Sequence, residues 1–302
     1  MAQCIVHIGL HKTATTWLQR HLFPLVTSHR VVPRDVIQDA LIRQHAFTFD
    51  PERARRGLQL RPGESVLLSE EHLSGDVFSG GFRGSLGREL ARRIRATLPE
   101  AEIVVFFRRQ PDIIASTYSQ YVGIGGSHGL SRFLFHPGLE WYVPAFDFDH
   151  FDYRKWIECY AAEFGRERLH LFLYEDFAAD NRAFVASFTE RLGLTFGGTP
   201  SYGARERPRL GAVEQGILRF SNRFRRDAVP YKQYFFPLPY ARAIGGKLSR
   251  YSRKIFPRAP GRMPASVRAY IEARYAESNA WVMRTTGLDL ARLGYPCAPV
   301  RG

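Results

Sequence analysis

The start of the chain constrains the fold more than any other stretch. Residues 5–8, Ile-Val-His-Ile, form a short, mostly apolar run of the kind found in buried strands. Gly9 and a turn containing Lys12 and three threonines follow, and apolar residues then recur at helical spacing at Trp17, Leu18, Leu22 and Leu25. A strand, a tight turn and a helix start predict an anion site, because the turn amides and the first helical amides point at one place.

The turn differs from the phosphate loop of the nucleoside triphosphatases, which requires Gly-x-x-x-x-Gly-Lys-Ser/Thr. Here Lys12 follows His11, and the nearest preceding glycine is Gly9. The turn instead resembles the phosphosulfate loop of the sulfotransferases, in which Lys-Ser/Thr-Gly-Thr-Thr is often followed by Trp. Ala14 stands where that family usually has glycine, and an alanine fits only if this position does not need a positive φ.

This resemblance implies a donor site for 3′-phosphoadenosine 5′-phosphosulfate. The residues that it assigns to the donor are Lys12, Thr13, Ala14, Thr15, Thr16 and Trp17. In the family, Trp17 corresponds to a neighbour of the adenine. Lys12 also has a catalytic task, because sulfuryl transfer needs a cation to hold charge on the bridging and leaving oxygens.

A second motif follows the apolar strand predicted at residues 103–107. Arg108 comes at the carboxyl end of that strand, where ligands bind in parallel sheets, and Ser116 falls about one turn into the next helix. An arginine and a hydroxyl so placed can hold a second phosphate. In sulfotransferases an arginine and a serine eight residues apart hold the 3′-phosphate of the donor. Arg108 matches that arginine better than Arg109, which we expect to be a salt-bridge or surface residue.

A third motif, Tyr174-Glu-Asp-Phe, follows the strand predicted at residues 169–173. It resembles the Tyr-Glu-Asp-Leu segment of the family, which implies that Tyr174 approaches the adenine. Taken alone, Tyr174 also fits a packed aromatic residue at a strand end. The resemblance covers residues 3–195, and the closing Gly294-Tyr-Pro is similar to the tail of bacterial sulfotransferases.

The catalytic base is expected after the strand at residues 65–69, in the sequence Glu70-Glu71-His72. Carbohydrate sulfotransferases place a glutamate here, which favours Glu71, whereas the small-molecule enzymes use a histidine followed by leucine, which favours His72. Glu70 is a third candidate. Since neighbouring residues of an extended segment point to opposite sides, we expect one of them to face the sulfate.

Composition narrows the class of partner. The net charge of +14 over 302 residues indicates an anionic partner, such as a nucleotide, an acidic glycan, a membrane surface or nucleic acid. Three cysteines without metal spacing indicate a reducing compartment. We find no signal peptide and no membrane-spanning run, and therefore expect a cytoplasmic protein, with contact to the inner membrane surface as an option. No metal site is expected, since His7 and His11 lie on a strand and a turn.

Strands alternate with helices up to about residue 204, which predicts a three-layer α/β fold with a mainly parallel sheet. We expect this core to span residues 1–204 and a helical extension on the acceptor side to span residues 205–302. Within the extension, Arg205, Arg207 and Arg209 either close over the 3′-phosphate or lie in a solvated loop. The basic, aromatic segment 223–262 is open to three interpretations: a lid over the acceptor, a membrane-surface patch, or an ordinary helical surface.

The sequence thus predicts a sulfotransferase that acts on a hydroxyl-bearing small molecule, glycan or glycolipid and releases 3′-phosphoadenosine 5′-phosphate. A nucleotide kinase is the nearest alternative, and the missing Gly-Lys pair argues against it. A basic nucleic-acid-binding protein, or a nucleotide-binding module without activity, belongs to a different class. The identity of the acceptor and the oligomeric state are not encoded in any motif that we recognise.

Overall fold

The structure is a computed structural model that describes residues 2–78, 80–135, 144–204, 210–226, 232–256, 261 and 263–298. Within these ranges, five parallel strands form one sheet in the order β2-β3-β1-β4-β5. The strands are β1 (Cys4–His7), β2 (Arg30–Val31), β3 (Val66–Ser69), β4 (Glu102–Phe107) and β5 (Leu169–Leu173).

Helices connect the strands and continue beyond β5. They are α1 (Thr15–Trp17), α2 (Arg34–Ile37), α3 (Pro51–Gly57), α4 (Gly80–Arg83), α5 (Ser85–Thr97), α6 (Gln110–Ile124), α7 (Leu130–Leu134), α8 (Tyr153–Phe164), α9 (Tyr174–Ala179), α10 (Asn181–Arg191), α11 (Ala212–Asn222), α12 (Ala241–Ile255) and α13 (Ala265–Thr286). Wider π-helical turns extend α1 over Leu18–Leu22 and α2 over Gln38–Ile42. Tighter 3₁₀ turns cover Phe23–Leu25, Ala46–Thr48, Glu71–Ser74 and Phe148–Phe151.

Alternating residues of the sheet bury two different cores. On one face, Val6 and Ile8 of the β1 region pack with side chains of α3, α5, α8 and α13. On the other face, Ile5 packs with the α1 region and with α10. The strands therefore carry apolar residues on both sides, as strands do when helices cover both faces of a parallel sheet. The predicted three-layer α/β architecture is confirmed.

The predicted strands at residues 5–8, 65–69, 103–107 and 169–173 are present within one residue at each end. β2 was not expected, because two residues at the sheet edge leave no readable periodicity. The helix expected from Trp17 onward begins at Thr15, so the threonines of the turn form its first residues.

After residue 204, every described element is a helix. α13 and the segment after it return to the sheet, since Val282 of the helix and the later Leu290 and Tyr295 are part of the same buried core as Val6. α11 is attached to the carboxyl end of α6 by Asn222, whose side-chain amide donates to the carbonyls of Val122 and Gly126 at 2.8 Å each. None of the described helices combines the length and apolar character needed to cross a bilayer.

Candidate functional site

Four strand ends converge on one cavity of about 700 Å³. Since β1 connects toward β2 and β4 toward β5, the chain leaves these adjacent strands in opposite directions, which opens a crevice at their carboxyl ends. The lining comes from the loop after β1, the segment after β3, α6 after β4, and α9 after β5. The lining residues used below are His11, Lys12, Ala14, Thr15, Thr16, Trp17, Glu71, Arg108, Ser116, Gln120, Tyr174, Phe177, Asn181 and Tyr202.

The loop after β1 contains three left-handed residues. Gly9 has φ +35°, Lys12 has φ +70° and Ala14 has φ +67°. Ala14 therefore adopts the positive φ that would favour a glycine at this position. An alanine in this region costs about 1 kcal/mol relative to a relaxed conformation. The conformation is fixed nonetheless, because the Ala14 carbonyl accepts from the amides of Trp17 and Leu18 at 2.9 and 3.1 Å.

The hydroxyls of the loop have different surroundings. The Thr13 hydroxyl is fully buried and donates to the Leu10 carbonyl at 2.5 Å, so Thr13 shapes the loop and does not line the cavity. The Thr15 hydroxyl is buried and has no hydrogen-bond partner among the described residues. A Cβ added at Gly9 would lie 2.8 Å from this hydroxyl, so the glycine leaves the space that Thr15 uses.

Arg108 ties β4 to the loop after β1. Its guanidinium donates to the Lys12 carbonyl at 2.8 Å and lies 4.1 Å from the centre of the Tyr174 ring. Its backbone is held by the buried Tyr153 hydroxyl, which donates to the Arg108 carbonyl. Arg108, Lys12 and Tyr174 thus come from three strand ends and meet in one place.

Arg109 points elsewhere. Its guanidinium pairs with Asp112 at 2.9 Å, and its backbone amide donates to Glu175 at 3.0 Å. The expectation of a salt-bridge role for Arg109 is confirmed. The cavity wall beside Arg108 is instead completed by α6, where Ser116 and Gln120 lie one turn apart and both line the cavity. Ser116 is only 4% exposed but lines this cavity.

An aromatic wall closes another side of the cavity. The Trp17 ring lies 5.0 Å from the Phe177 ring in an edge-to-face arrangement and 6.2 Å from the Tyr202 ring. Tyr202 is held by Asn181, whose amide donates to its carbonyl at 2.6 Å, and by the Arg182 guanidinium above its ring. Such a wall can stack against a flat heterocycle.

Glu71 faces the cavity, and Glu70 does not. The Glu71 carboxylate accepts from Gln19 at 3.3 Å and pairs with Arg34 at 3.0 Å. Arg34 also pairs with Glu70 at 2.9 Å, so one guanidinium bridges both carboxylates. His72 does not line the cavity; its Nδ1 lies 2.7 Å from Glu70.

Glu70 is fully buried and has a complete set of partners. Burial opposes its ionised form, but hydrogen bonds from His72, Arg34 and Gln38 outweigh that effect and hold the pKa of Glu70 well below its usual range. The hydrogen bond to Glu70 in turn raises the pKa of His72. Glu70 also accepts from the His72 amide, which starts a 3₁₀ turn at Glu71–Ser74. The prediction that residues 70–72 are extended is therefore wrong beyond Glu70, where the chain turns.

His7, at the end of β1, and His11, in the loop after it, are both buried. Burial lowers the pKa of His7 to about 3, and its Nδ1 lies 2.9 Å from the Ser69 hydroxyl. Burial, together with nearby His72 and His150, lowers the pKa of His11 well below its ordinary value. His11 lines the cavity, so it presents a neutral imidazole next to Lys12 at physiological pH.

Nine of the predicted site residues therefore share one cavity: Lys12, Ala14, Thr15, Thr16, Trp17, Glu71, Arg108, Ser116 and Tyr174. Thr13 and His72 lie just behind its lining. Arg205, Arg207 and Arg209 lie outside the described residues. Five residues in or beside the cavity were not predicted from the sequence: Gln19, Arg34, Gln120, Phe177 and Tyr202. For Gln120 a signal exists, since it follows Ser116 by one helical turn; the others depend on tertiary contacts.

No family model matches the sequence, and no curated protein matches it. Among solved structures, the chain is similar to a crystal structure of a sulfotransferase from Alicyclobacillus acidocaldarius, with 19% sequence identity and a TM-score of 0.49. The similarity covers 69% of this chain and 87% of that chain. The roles proposed for individual residues rest on the geometry of this chain.

Proposed function

We propose that this chain is a sulfotransferase that moves a sulfuryl group from 3′-phosphoadenosine 5′-phosphosulfate to a hydroxyl of a saccharide, glycolipid or specialised metabolite. The observation that carries the proposal is the convergence of two separate anion-binding elements on one cavity. Lys12 and the loop after β1 form the first, and Arg108 with Ser116 forms the second. An aromatic wall and one carboxylate complete the lining.

The residues present suit a donor that carries two anionic groups and a purine. Lys12, the amides at the start of α1 and the Thr15 hydroxyl, which has no partner in the described chain, suit the phosphosulfate. Arg108 and Ser116 suit the 3′-phosphate, because a guanidinium offers a planar set of donors to phosphate oxygens. Trp17, Phe177 and Tyr202 suit the adenine. When bound, the donor supplies the sulfuryl group and leaves as 3′-phosphoadenosine 5′-phosphate.

Within this proposal, Lys12 holds negative charge at the bridging and leaving oxygens, since its ammonium is a compact cation at the cavity wall. Arg108 fixes the loop that carries Lys12 through the Lys12 carbonyl, so it both binds and orients. Neutral His11 adds no second positive charge beside Lys12, because its pKa is far below its ordinary value.

Glu71 is the proposed base that takes the acceptor proton at its carboxylate. Its side chain is 16% exposed and lines the cavity, so an acceptor hydroxyl can reach it. Gln19 and Arg34 position the carboxylate, and Arg34 is shared with Glu70. Glu70 is unsuited to the task, because its lowered pKa and its full set of partners leave it a weak base.

We also propose that residues 205–302 contribute to the acceptor side of the cavity. What supports this division is that α11 packs on α6, the helix that carries Ser116 and Gln120.

The test is transfer of labelled sulfate from the donor to a panel of glycans, glycolipids, phenols and alcohols, with Lys12→Ala as the inactive comparison. We expect a labelled product with wild type and a loss of turnover in Lys12→Ala. Truncating one side of a desolvated charge pair costs roughly 2–5 kcal/mol, so nucleotide affinity should also fall. Equal turnover and equal nucleotide binding in both proteins would refute the donor site.

A further inference from the structure

The helix pair α11–α12 exposes an apolar stripe that the proposed chemistry does not use. Its members are spaced at i, i+4, i+7 and i+11 along α12, which places them on one side of the helix. They are Ile244, Leu248, Tyr251 and Ile255, with exposed fractions of 54, 52, 64 and 55%. In a soluble helix such a stripe normally faces the core.

The stripe is exposed because small residues occupy the seam with α11. Ala241, Gly245, Ser249 and Ser252 follow one another along the buried side of α12. The Ser221 hydroxyl donates to the Ala241 carbonyl at 2.8 Å, and a Cβ added at Gly245 would lie 2.2 Å from that hydroxyl. The two helices therefore approach too closely for large side chains to enter the seam.

Aromatic residues extend the exposed apolar surface at the end of α11. Phe220, Phe235 and Phe236 are 61, 57 and 55% exposed, and the Phe224 ring lies within 5.8 Å of each of their rings. The amide of Phe235 donates to the Arg223 carbonyl at 2.9 Å, so this segment is held against α11. A packed but uncovered cluster of this kind marks an interaction surface.

Charge identifies the partner of this surface. Residues 228–271 contain nine lysines or arginines and no aspartate or glutamate. Lys247 and Lys254 lie one helical turn on either side of Tyr251, so cations border the apolar stripe. We infer that the α11–α12 surface docks on an anionic lipid bilayer, with the stripe in the headgroup–acyl boundary and the cations at lipid phosphates.

Two other partners match the surface less well. A second copy of this chain would bring the exposed cations of α12, such as Lys247, Arg250 and Lys254, against their own copies, and like charges facing each other repel. A nucleic acid would engage the cations but leave the aliphatic side chains of Ile244, Leu248 and Ile255 in water, since phosphate contacts dominate that kind of binding.

The test is co-sedimentation of the full chain with vesicles of phosphatidylcholine, with and without phosphatidylserine. We expect binding to the anionic vesicles, weaker binding to neutral ones, and a decrease with added salt. The variant Ile244→Ser/Leu248→Ser/Ile255→Ser should lose binding to both. The variant Lys247→Gln/Arg250→Gln should lose at least tenfold in affinity for anionic vesicles and keep its affinity for neutral ones. The reason is that each basic residue near an anionic surface raises the affinity about fivefold.

Matched controls remove similar groups elsewhere. Phe47→Ser deletes a side chain that is 94% exposed, and Arg53→Gln/Arg61→Gln deletes two exposed cations; both should bind like wild type. Circular dichroism checks that each variant is folded. The inference is overturned if wild type ignores anionic vesicles, if the triple serine variant binds as wild type, or if the stripe instead mediates a dimer seen by sedimentation without vesicles. Binding to RNA but not to vesicles also overturns it. None of these readouts depends on sulfate transfer.

Discussion

The cavity at the strand ends and the α11–α12 surface differ in which side chains are buried and which are exposed. Around the cavity, the polar side chains of Glu70 and Thr13 are buried behind the lining and held by hydrogen bonds to their neighbours. On α12, small residues are buried and the large apolar side chains face solvent. Burial therefore fixes geometry in the first region, whereas exposure creates a surface in the second.

The comparison predicts that substitutions at the cavity change chemistry strongly. Glu71→Gln keeps the shape of the side chain but removes the carboxylate that we propose as the base, so kcat should fall by about 10²–10⁴ while nucleotide affinity stays near wild type. Steady-state kinetics and calorimetry measure the two effects. His72→Ala is the control, since His72 contacts Glu70 and does not line the cavity. A dead His72→Ala beside an active Glu71→Gln would reassign the base to His72.

The next largest effect is expected at Arg108. Arg108→Ala should weaken the binding of 3′-phosphoadenosine 5′-phosphate by roughly 2–5 kcal/mol, because a charged hydrogen-bond partner is lost. The binding of adenosine 5′-phosphate should be weakened far less. Titration calorimetry with both nucleotides gives the ratio. Arg109→Ala serves as the matched control, because Arg109 pairs with Asp112 and Glu175. If Arg108→Ala weakens both nucleotides equally, Arg108 does not bind the 3′-phosphate.

Buried histidines at β1 should make stability depend on pH. The pKa of His7 is lowered to about 3 in the folded chain, so below its ordinary value of 6.5 the unfolded chain binds a proton that the folded chain does not. The free energy of unfolding should therefore fall with decreasing pH below about 6.5, by about 1.4 kcal/mol per pH unit for this group. Urea titrations at several pH values measure the slope. His7→Asn should reduce the slope by that amount, while other buried histidines such as His11 keep their share; an unchanged slope would contradict the assignment.

An alanine-to-glycine substitution should change the free energy of unfolding in opposite directions in the two regions. Ala14→Gly relieves a left-handed alanine and should stabilise the chain by about 0.5–1 kcal/mol. Ala243→Gly lies on an exposed turn of α12 and should destabilise it by about 1 kcal/mol, because glycine is a poor helix former. Urea titrations of both variants test the pair. A loss of stability in Ala14→Gly would mean that the loop carries no strain.

The smallest effect on folding is expected on α12. Each of the single variants Ile244→Ser, Leu248→Ser and Ile255→Ser should change the free energy of unfolding by about 0.5 kcal/mol or less, because these side chains are exposed. Thermal or urea denaturation measures it. A large loss would place the stripe in the core and remove the contrast between the two regions.

The sequence predicted the parts of the site that depend on local pattern. Arg108 and Tyr174 each follow an apolar strand directly, and Lys12 lies in the loop after β1; parallel strands bring such positions to one edge. Phe177 and Tyr202 could not be assigned, because their place beside Trp17 depends on how α9 and the loop after α10 pack. The positive φ of Ala14 was missed because local propensity disfavours it, and the hydrogen bonds to its carbonyl override that preference.

For the segment 223–262, in contrast, the local sequence pattern could not predict which side chains are buried. Its composition left three interpretations open, since apolar residues at helical spacing normally indicate a buried face. The orientation of α12 became defined only through the seam of Ala241, Gly245 and Ser249 against α11. Where small and large residues both recur at helical spacing, the partner helix decides which set is buried.

The position of β1 in the sheet has a consequence for biosynthesis. β1 precedes both of its neighbours along the chain, since Ile5 pairs with Leu67 on one side and with Glu102 on the other. A ribosome therefore releases the central strand long before either partner exists, and both partners are present only after about a hundred residues have been added. At the usual pace of synthesis this takes roughly 5–20 s, during which the nascent strand is a natural client for a chaperone.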